Sequence, residues 1–108
     1  MRVPRGLRKP KPHVIERRER HQQRAAAQRA VRAAVWRRDG GRCRACQRRR
    51  GRHLHHVQYR SHGGPWTTAN CVVLCRECHQ DVHARILIIA GRNADAPDGL
   101  TFERRRWW

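Results

Sequence analysis

The sequence predicts a small α+β domain in which one long helix precedes a set of short strands. The chain has 108 residues, which is room for a single domain. An alanine-rich segment has helical periodicity, and short runs rich in β-branched residues follow it. Large apolar side chains are few, so the hydrophobic core is small. We expect the fold to need additional stabilisation from a bound metal ion or from disulfides.

Residues 22–38 are predicted to form the helix, because alanine is the strongest helix former and the apolar residues are spaced as one helical face. Asp39-Gly40-Gly41 is expected to end it, since glycine tolerates the left-handed conformation that a helix end often needs. Trp36, near this end, is interpreted as a packing residue before a base-stacking one.

Strands are predicted at residues 53–60, 71–74 and 100–102, with a short helix from Arg76 to about Ala84. The glycines and proline of residues 61–65 must turn the chain between the first two strands. Residues 86–89 are open to two interpretations: they extend the short helix or form a further strand. We favour the strand, because three isoleucines stand among these four residues and Gly91 follows.

The chain is strongly basic: 26 Lys and Arg against 8 Asp and Glu give a net charge of +18. Such a surface attracts a polyanion, and nucleic acid, with duplex DNA first, is the leading candidate because each neutralised phosphate releases counterions. An anionic membrane comes second. No apolar run is long enough to span a bilayer, so we expect no membrane partner. The oligomeric state is not indicated.

Residues 1–21 are predicted to be a basic, disordered tail, and residues 22–108 the folded domain. The tail has no apolar periodicity, and its functional interpretation is a non-specific grip on the DNA backbone. Met1 to Pro12 lacks the hydrophobic core of a signal peptide. A cytoplasmic location is therefore expected, and thiols stay reduced there.

Two Cys-x-x-Cys pairs suggest a metal cage. Cysteines in a reducing compartment indicate metal ligands before disulfides, and two such pairs form a tetrahedral thiolate cage for structural Zn²⁺. The alternative is a redox dithiol or buried thiols. The gap between the pairs exceeds that of a plain zinc ribbon, so something is inserted there. The four predicted zinc ligands are Cys43, Cys46, Cys75 and Cys78.

The insert and the segment after it carry most of the histidines. His55 and His56 are adjacent on a predicted strand, so they point to opposite faces. His79 and His83 are four apart on a predicted helix, so they share a face. One strand histidine can therefore join the helix pair around an ion, while the other is left to act as a general base. The alternative is that some of these histidines merely fill core or surface positions.

The stretch from Arg37 to His83 resembles the HNH endonucleases, also called ββα-metal nucleases. The matching segments are RRDGGRCRAC, LHHVQYRSHGG and TTANCVVLCRECHQDVH, and GRNADAPDGLTF is similar to the hairpin that ends some members. The resemblance implies a zinc-stapled ββα-metal domain with a preceding helix and a basic tail. It also implies a metal-dependent endonuclease that hydrolyses DNA phosphodiester bonds.

The resemblance implies residue roles as well. His56 matches the general base. Asn70 matches the catalytic asparagine, which steadies the loop between the strands or touches the metal. His55 stands where many members have an aspartate, as in the colicin-like branch, and with His79 and His83 it matches that branch's ligands for a catalytic divalent metal. Imidazoles favour Zn²⁺ or Ni²⁺, Mg²⁺ prefers carboxylates, and Mn²⁺ completes the candidate ions.

In the implied mechanism His56 takes a proton from water while the ion binds the scissile phosphate. Arg60 is interpreted either as a clamp on a phosphate oxygen or as a solvated surface arginine. Two rival functions remain open: a non-catalytic zinc-dependent nucleic-acid-binding module, and a phage packaging accessory protein that grips DNA. The binding module explains the charge and the cysteines, but it does not explain His56 and Asn70.

Overall fold

The computed structural model describes residues 11–105, and its first element is a long helix, α1, from Pro12 to Arg38. Proline suits the first helical turn, where its missing N–H has no partner to lose. Asp39 takes the C-cap position, and Gly40 and Gly41 follow with φ values of 64° and 68°. Glycine adopts this left-handed conformation without steric cost. The predicted helix end is therefore confirmed.

The start of α1 corrects the prediction of a disordered tail from residue 1 to residue 21. Residues 12–21 are helical, although they have no apolar face. Arg, Glu and Gln are good helix formers, and almost every side chain of this part is exposed, so no apolar periodicity was available to signal the helix. The rest of the predicted tail, residues 1–10, lies outside the described residues. No helix in the described part of the chain is long and apolar enough to cross a membrane.

A ββα unit follows the helix. Strand β1 (His53–His56) pairs antiparallel with strand β2 (Cys71–Leu74), and helix α2 (Arg76–His83) comes directly after β2. The predicted first strand was too long, since it ends at His56 rather than at residue 60. Beyond this point the backbone N–H of Gln58 donates to the side chain of Asn70 at 2.8 Å, which takes the chain out of the sheet.

A second antiparallel hairpin completes the chain, with β3 (Leu87–Gly91) paired to β4 (Leu100–Arg104). The strand interpretation of the isoleucine-rich segment is confirmed, as is the α+β class. β-Branched residues favour strands because they pack well on a pleated surface.

Strand β2 lies at the centre of the core, and all four of its residues are buried. Alternation along the strand sends its side chains to opposite faces. Val72 and Leu74 pack with α2, the cysteine pairs and the second hairpin. Cys71 and Val73 pack on the other face with Val35 of α1 and with Trp36, Leu54 and Trp66 around it. The packing interpretation of Trp36 is therefore confirmed.

The side chain of Asp39 fastens α1 to this core. It is 1% exposed and accepts hydrogen bonds from the Val73 backbone N–H at 2.9 Å, from Arg38 Nε at 2.8 Å and from Arg44 Nη1 at 3.0 Å. Arg38 also donates to the carbonyl oxygen of Cys71 at 2.6 Å. Charge-assisted hydrogen bonds of this kind are the strong ones, so the end of α1 is held rigidly beside β2.

Candidate metal-binding and catalytic site

The four predicted cysteines lie together between the end of α1 and the start of α2. Their sulfur atoms all lie within 4.8 Å of one another, and Cys46 Sγ is 4.0 Å from Cys75 Sγ. Two sulfurs on one tetrahedral zinc, each at about 2.3 Å from it, lie about 3.8 Å apart. The four cysteines therefore suit a structural zinc site.

Backbone N–H groups already point at the sulfurs. The N–H of Cys46 donates to Cys43 Sγ at 3.5 Å, and the N–H of Cys78 donates to Cys75 Sγ at 3.4 Å. Burial raises the pKa of the Cys46 thiol, but hydrogen bonds from the N–H groups of Arg48 and Arg49 and with the side chains of Cys43 and Cys75 together outweigh it and lower the pKa to about 7. Such donors stabilise the thiolate, which is the form that binds metal.

The three histidines assigned to the metal by resemblance also lie together. His55 projects from β1, and His79 and His83 project from α2 one turn apart, with one ring nitrogen of each within 4.8 Å of the others. The Nε2 atoms of His79 and His83 are 3.1 Å apart. Two nitrogens bound to one tetrahedral zinc at about 2.0–2.1 Å lie roughly 3.3 Å apart, so this arrangement fits one ion.

The protonation state of His55 also suits a metal ligand. Burial lowers its pKa to about 4, helped by repulsion from His79, His83 and His56. The pKa of His79 is lowered as well, by burial first and then by His83 and His53. Both side chains are therefore neutral at pH 7, and a neutral imidazole is the form that coordinates metal.

His56 lies on the opposite face of β1, as strand alternation predicts. Its ring packs edge-on against the indole of Trp66, with centroids 4.4 Å apart, and its Nε2 is buried without a hydrogen-bond partner among the described residues. Burial lowers the pKa of His56, and the charge of Arg60 lowers it further. A neutral imidazole is what a general base requires. Since Nε2 has no access to water, Nδ1 is the atom left to accept a proton.

Asn70 fastens the loop that joins β1 to β2. Its Oδ1 accepts from the Gln58 N–H, and its Nδ2 donates to the carbonyl oxygens of Gln58 at 3.1 Å and Pro65 at 3.0 Å. Three bonds from one side chain hold both arms of the loop. These contacts agree with the loop-steadying alternative for Asn70.

Arg60 is not directed at the three histidines. Its guanidinium lies 5.4 Å from the ring centre of Trp66, and Arg32 of α1 lies 5.7 Å from the same ring. A cation held over an indole face gains attraction from the ring electrons. Trp66 thus connects both arginines to His56.

Sequence reasoning missed three aromatic neighbours of the candidate site. The ring of His53 stacks on His79 at 4.6 Å, that of Tyr59 stacks on His83 at 6.1 Å, and Trp66 covers His56. His53 could have been found from strand alternation, because it stands two residues before His55 and so shares its face. The same alternation places Tyr59, within the predicted strand of residues 53–60, on the face of His55. Trp66 lies in the loop, where no periodicity indicates a direction.

The geometry defines a class of protein: a ββα unit with four cysteines placed to bind a metal ion and a second cluster of three histidines. Residues 43–85 match the model of the family described as HNH endonuclease. This match confirms the resemblance to the HNH endonucleases over residues 43–85. A comparison with curated proteins finds no match.

Proposed function

We propose that the protein is a metal-dependent endonuclease that hydrolyses phosphodiester bonds in duplex DNA. The observation that carries this proposal is that ring nitrogens of His55, His79 and His83 lie within 4.8 Å of one another. The next residue of β1 is the buried His56, whose Nε2 has no hydrogen-bond partner in the described part of the chain. A module that only binds nucleic acid needs the charge and the cysteines. It does not need a second cluster of metal-binding groups beside a neutral imidazole.

The two faces of β1 have different proposed roles: metal binding on the face of His55 and proton transfer on the face of His56. His55, His79 and His83 would hold a divalent metal, and imidazole ligands favour Zn²⁺ or Ni²⁺ within the set that includes Mn²⁺ and Mg²⁺. A metal bound there supplies positive charge to a phosphoryl oxygen. His56 accepts the proton of the attacking water at Nδ1, and Asn70 keeps the loop in the shape that positions it. Arg60 binds a phosphate oxygen beside Trp66.

The rival function, a non-catalytic DNA-binding or packaging accessory module, has one observation in its favour. His56 is 8% exposed, and Trp66 lies against it. If water never reaches His56, this histidine cannot act as a general base, and the protein would have the fold of the family without its nuclease activity.

Nicking of supercoiled plasmid by metal-loaded protein separates the two functions. His56→Ala should lower the cleavage rate by about 10²- to 10⁴-fold, the usual contribution of a general base. His13→Ala, which removes an exposed histidine near the start of α1, is the matched control and should cleave like the parent protein. Equal nicking by parent and His56→Ala preparations would point to a contaminating nuclease and refute the proposal.

A further inference from the structure

A basic surface lies beside the histidine cluster. We call it the arginine groove: a depression of about 1110 Å³ beside the indole of Trp36. Its arginines come from the turn between the first cysteine pair and β1, except Arg42, which directly precedes Cys43. Those used in the argument are Arg42, Arg48, Arg50 and Arg52.

The groove leads to the histidine cluster. A smaller cleft of about 320 Å³ shares Trp36 and Arg52 with it, and the lining of this cleft includes His53 and His79. His79 is one of the proposed metal ligands. A chain of phosphates lying in the groove therefore reaches the cluster past Arg52 without leaving the basic surface.

Four of the five arginines that line the groove carry uncompensated charge; the fifth, Arg49, is paired with Glu77. Among the described residues, the side chains of Arg42, Arg48, Arg50 and Arg52 make no salt bridge and no hydrogen bond within the chain. The nearby acids pair with other arginines. Glu77 pairs with Arg49 at 2.9 Å, and the buried Asp39 accepts from two arginines outside this set. Uncompensated like charges repel one another in the folded chain, and a polyanion relieves that repulsion.

The turn that carries Arg48, Arg50 and Arg52 is held in place by backbone hydrogen bonds. The N–H of Gly51 donates to the carbonyl oxygen of Gly41 at 2.8 Å, and the N–H of Arg52 donates to that of Leu74 at 2.9 Å. A side chain at position 51 would collide with Val73 and come within 3.3 Å of the Trp36 ring. Glycine there lets the turn lie against the indole. A binding surface that is already ordered loses less conformational entropy when its ligand binds.

We propose that the arginine groove binds the phosphate backbone of the DNA that flanks the cleaved bond. The bound strand runs from the histidine cluster past Arg52 to Arg50 and Arg42. This inference rests on the proposed function, since it locates the substrate of that same site.

The test compares two double variants that each remove two positive charges. Arg50→Gln/Arg52→Gln removes two of the positive charges that line the groove. The matched control, Arg76→Gln/Arg92→Gln, changes two exposed arginines that line neither the groove nor the smaller cleft. Both are made in the full chain with His56→Ala, so that duplex DNA stays intact. Affinity is measured against salt concentration, and zinc content reports the fold.

The groove variant should lower the slope of log affinity against log salt by about 1.8, at about 0.9 per phosphate contact. At 0.1 M salt this corresponds to roughly 60-fold weaker binding. The control should keep most of the slope, and Arg50→Lys/Arg52→Lys should keep it too because lysine also neutralises phosphate. If Arg50→Gln/Arg52→Gln loses its zinc, the single variant Arg52→Gln is measured instead. Its slope of log affinity against log salt should fall by about 0.9.

An unchanged slope in the groove variant, or an equal fall in the control, overturns the proposal. Failure of the proposed function looks different. In that case plasmid stays intact with the parent protein, while the salt dependence of binding still shows whether the groove holds phosphates.

Discussion

The first half of α1 carries arginines on the side that faces the rest of the domain. Arg17, Arg24, Val31 and Arg38 are spaced seven residues apart, and such residues lie near one line along a helix, with a drift of about 20° per step. Val31 packs against the core, and Arg38 donates to the Cys71 carbonyl. A duplex bound beside the domain would therefore pass along the side of α1 on which Arg17 and Arg24 stand.

We expect Arg17→Gln/Arg24→Gln to weaken binding to duplex DNA through two phosphate contacts. The two residues are separated by about 10 Å along the helix, at 1.5 Å per residue, so they reach different phosphates. Two contacts correspond to a fall of about 1.8 in the slope of log affinity against log salt, or roughly 60-fold at 0.1 M salt. Glutamine and arginine have similar helix propensities, so α1 itself should persist.

The control is Arg18→Gln/Arg29→Gln, which removes the same charge from exposed positions on another side of α1. Each step along a helix turns by about 100°, so Arg18 and Arg29 point roughly 100° to 120° away from Arg17. The assay is fluorescence anisotropy of a labelled duplex over a range of salt concentrations. Equal slopes for the two variants would show that the orientation of α1 does not matter and refute this reasoning.

Three further predictions concern the site and its supports. Cys46→Ser should lose the structural zinc and most of the fold, because structural zinc supplies about 10–16 kcal/mol of folding free energy in small domains; elemental analysis showing full zinc in this variant would contradict it. His79→Ala and His83→Ala should weaken binding of the catalytic metal, so that added metal partly restores cleavage, whereas His56→Ala should bind metal normally in calorimetry. Metal loss in His56→Ala with normal binding in His55→Ala would exchange the roles of the two strand histidines. Asp39→Ala should lower the free energy of unfolding by about 3 kcal/mol, since it strips a buried carboxylate from two arginines that are themselves only about one-fifth exposed; a urea-unfolding difference below about 1 kcal/mol would show that the arginines find other partners.

Short-range spacing predicted the parts of the site that local structure positions. A Cys-x-x-Cys turn aims two sulfurs at one point, and residues four apart on a helix share a face. For that reason the spacing was enough to expect that His79 and His83 meet one of the two strand histidines, and the family resemblance assigned this place to His55. The bounds of β2 were also predicted, because four apolar residues stand between an asparagine and a cysteine that begins a helix.

Long-range contacts escaped prediction because nothing near them in the sequence specifies the partner. Asp39 was read as a helix-ending residue, yet its carboxylate accepts from the N–H of Val73, 34 residues away. Trp66 lies in a loop, and its place between Arg32 and His56 depends on where α1 is fastened. The early start of α1 escaped for another reason: an exposed helix carries no apolar periodicity.

Strand β1 has only four residues, and the two chemical groups proposed for catalysis stand on its opposite faces. His55 faces α2, which the zinc cysteines hold at its first turn. His56 faces Trp66 and the α1 side of β2, which Asp39 and Arg38 hold. Loss of the zinc and loss of the Asp39 contacts should therefore damage the site differently. The first should scatter the three histidines proposed as metal ligands, whereas the second should displace His56, the proposed base, while those three histidines stay together.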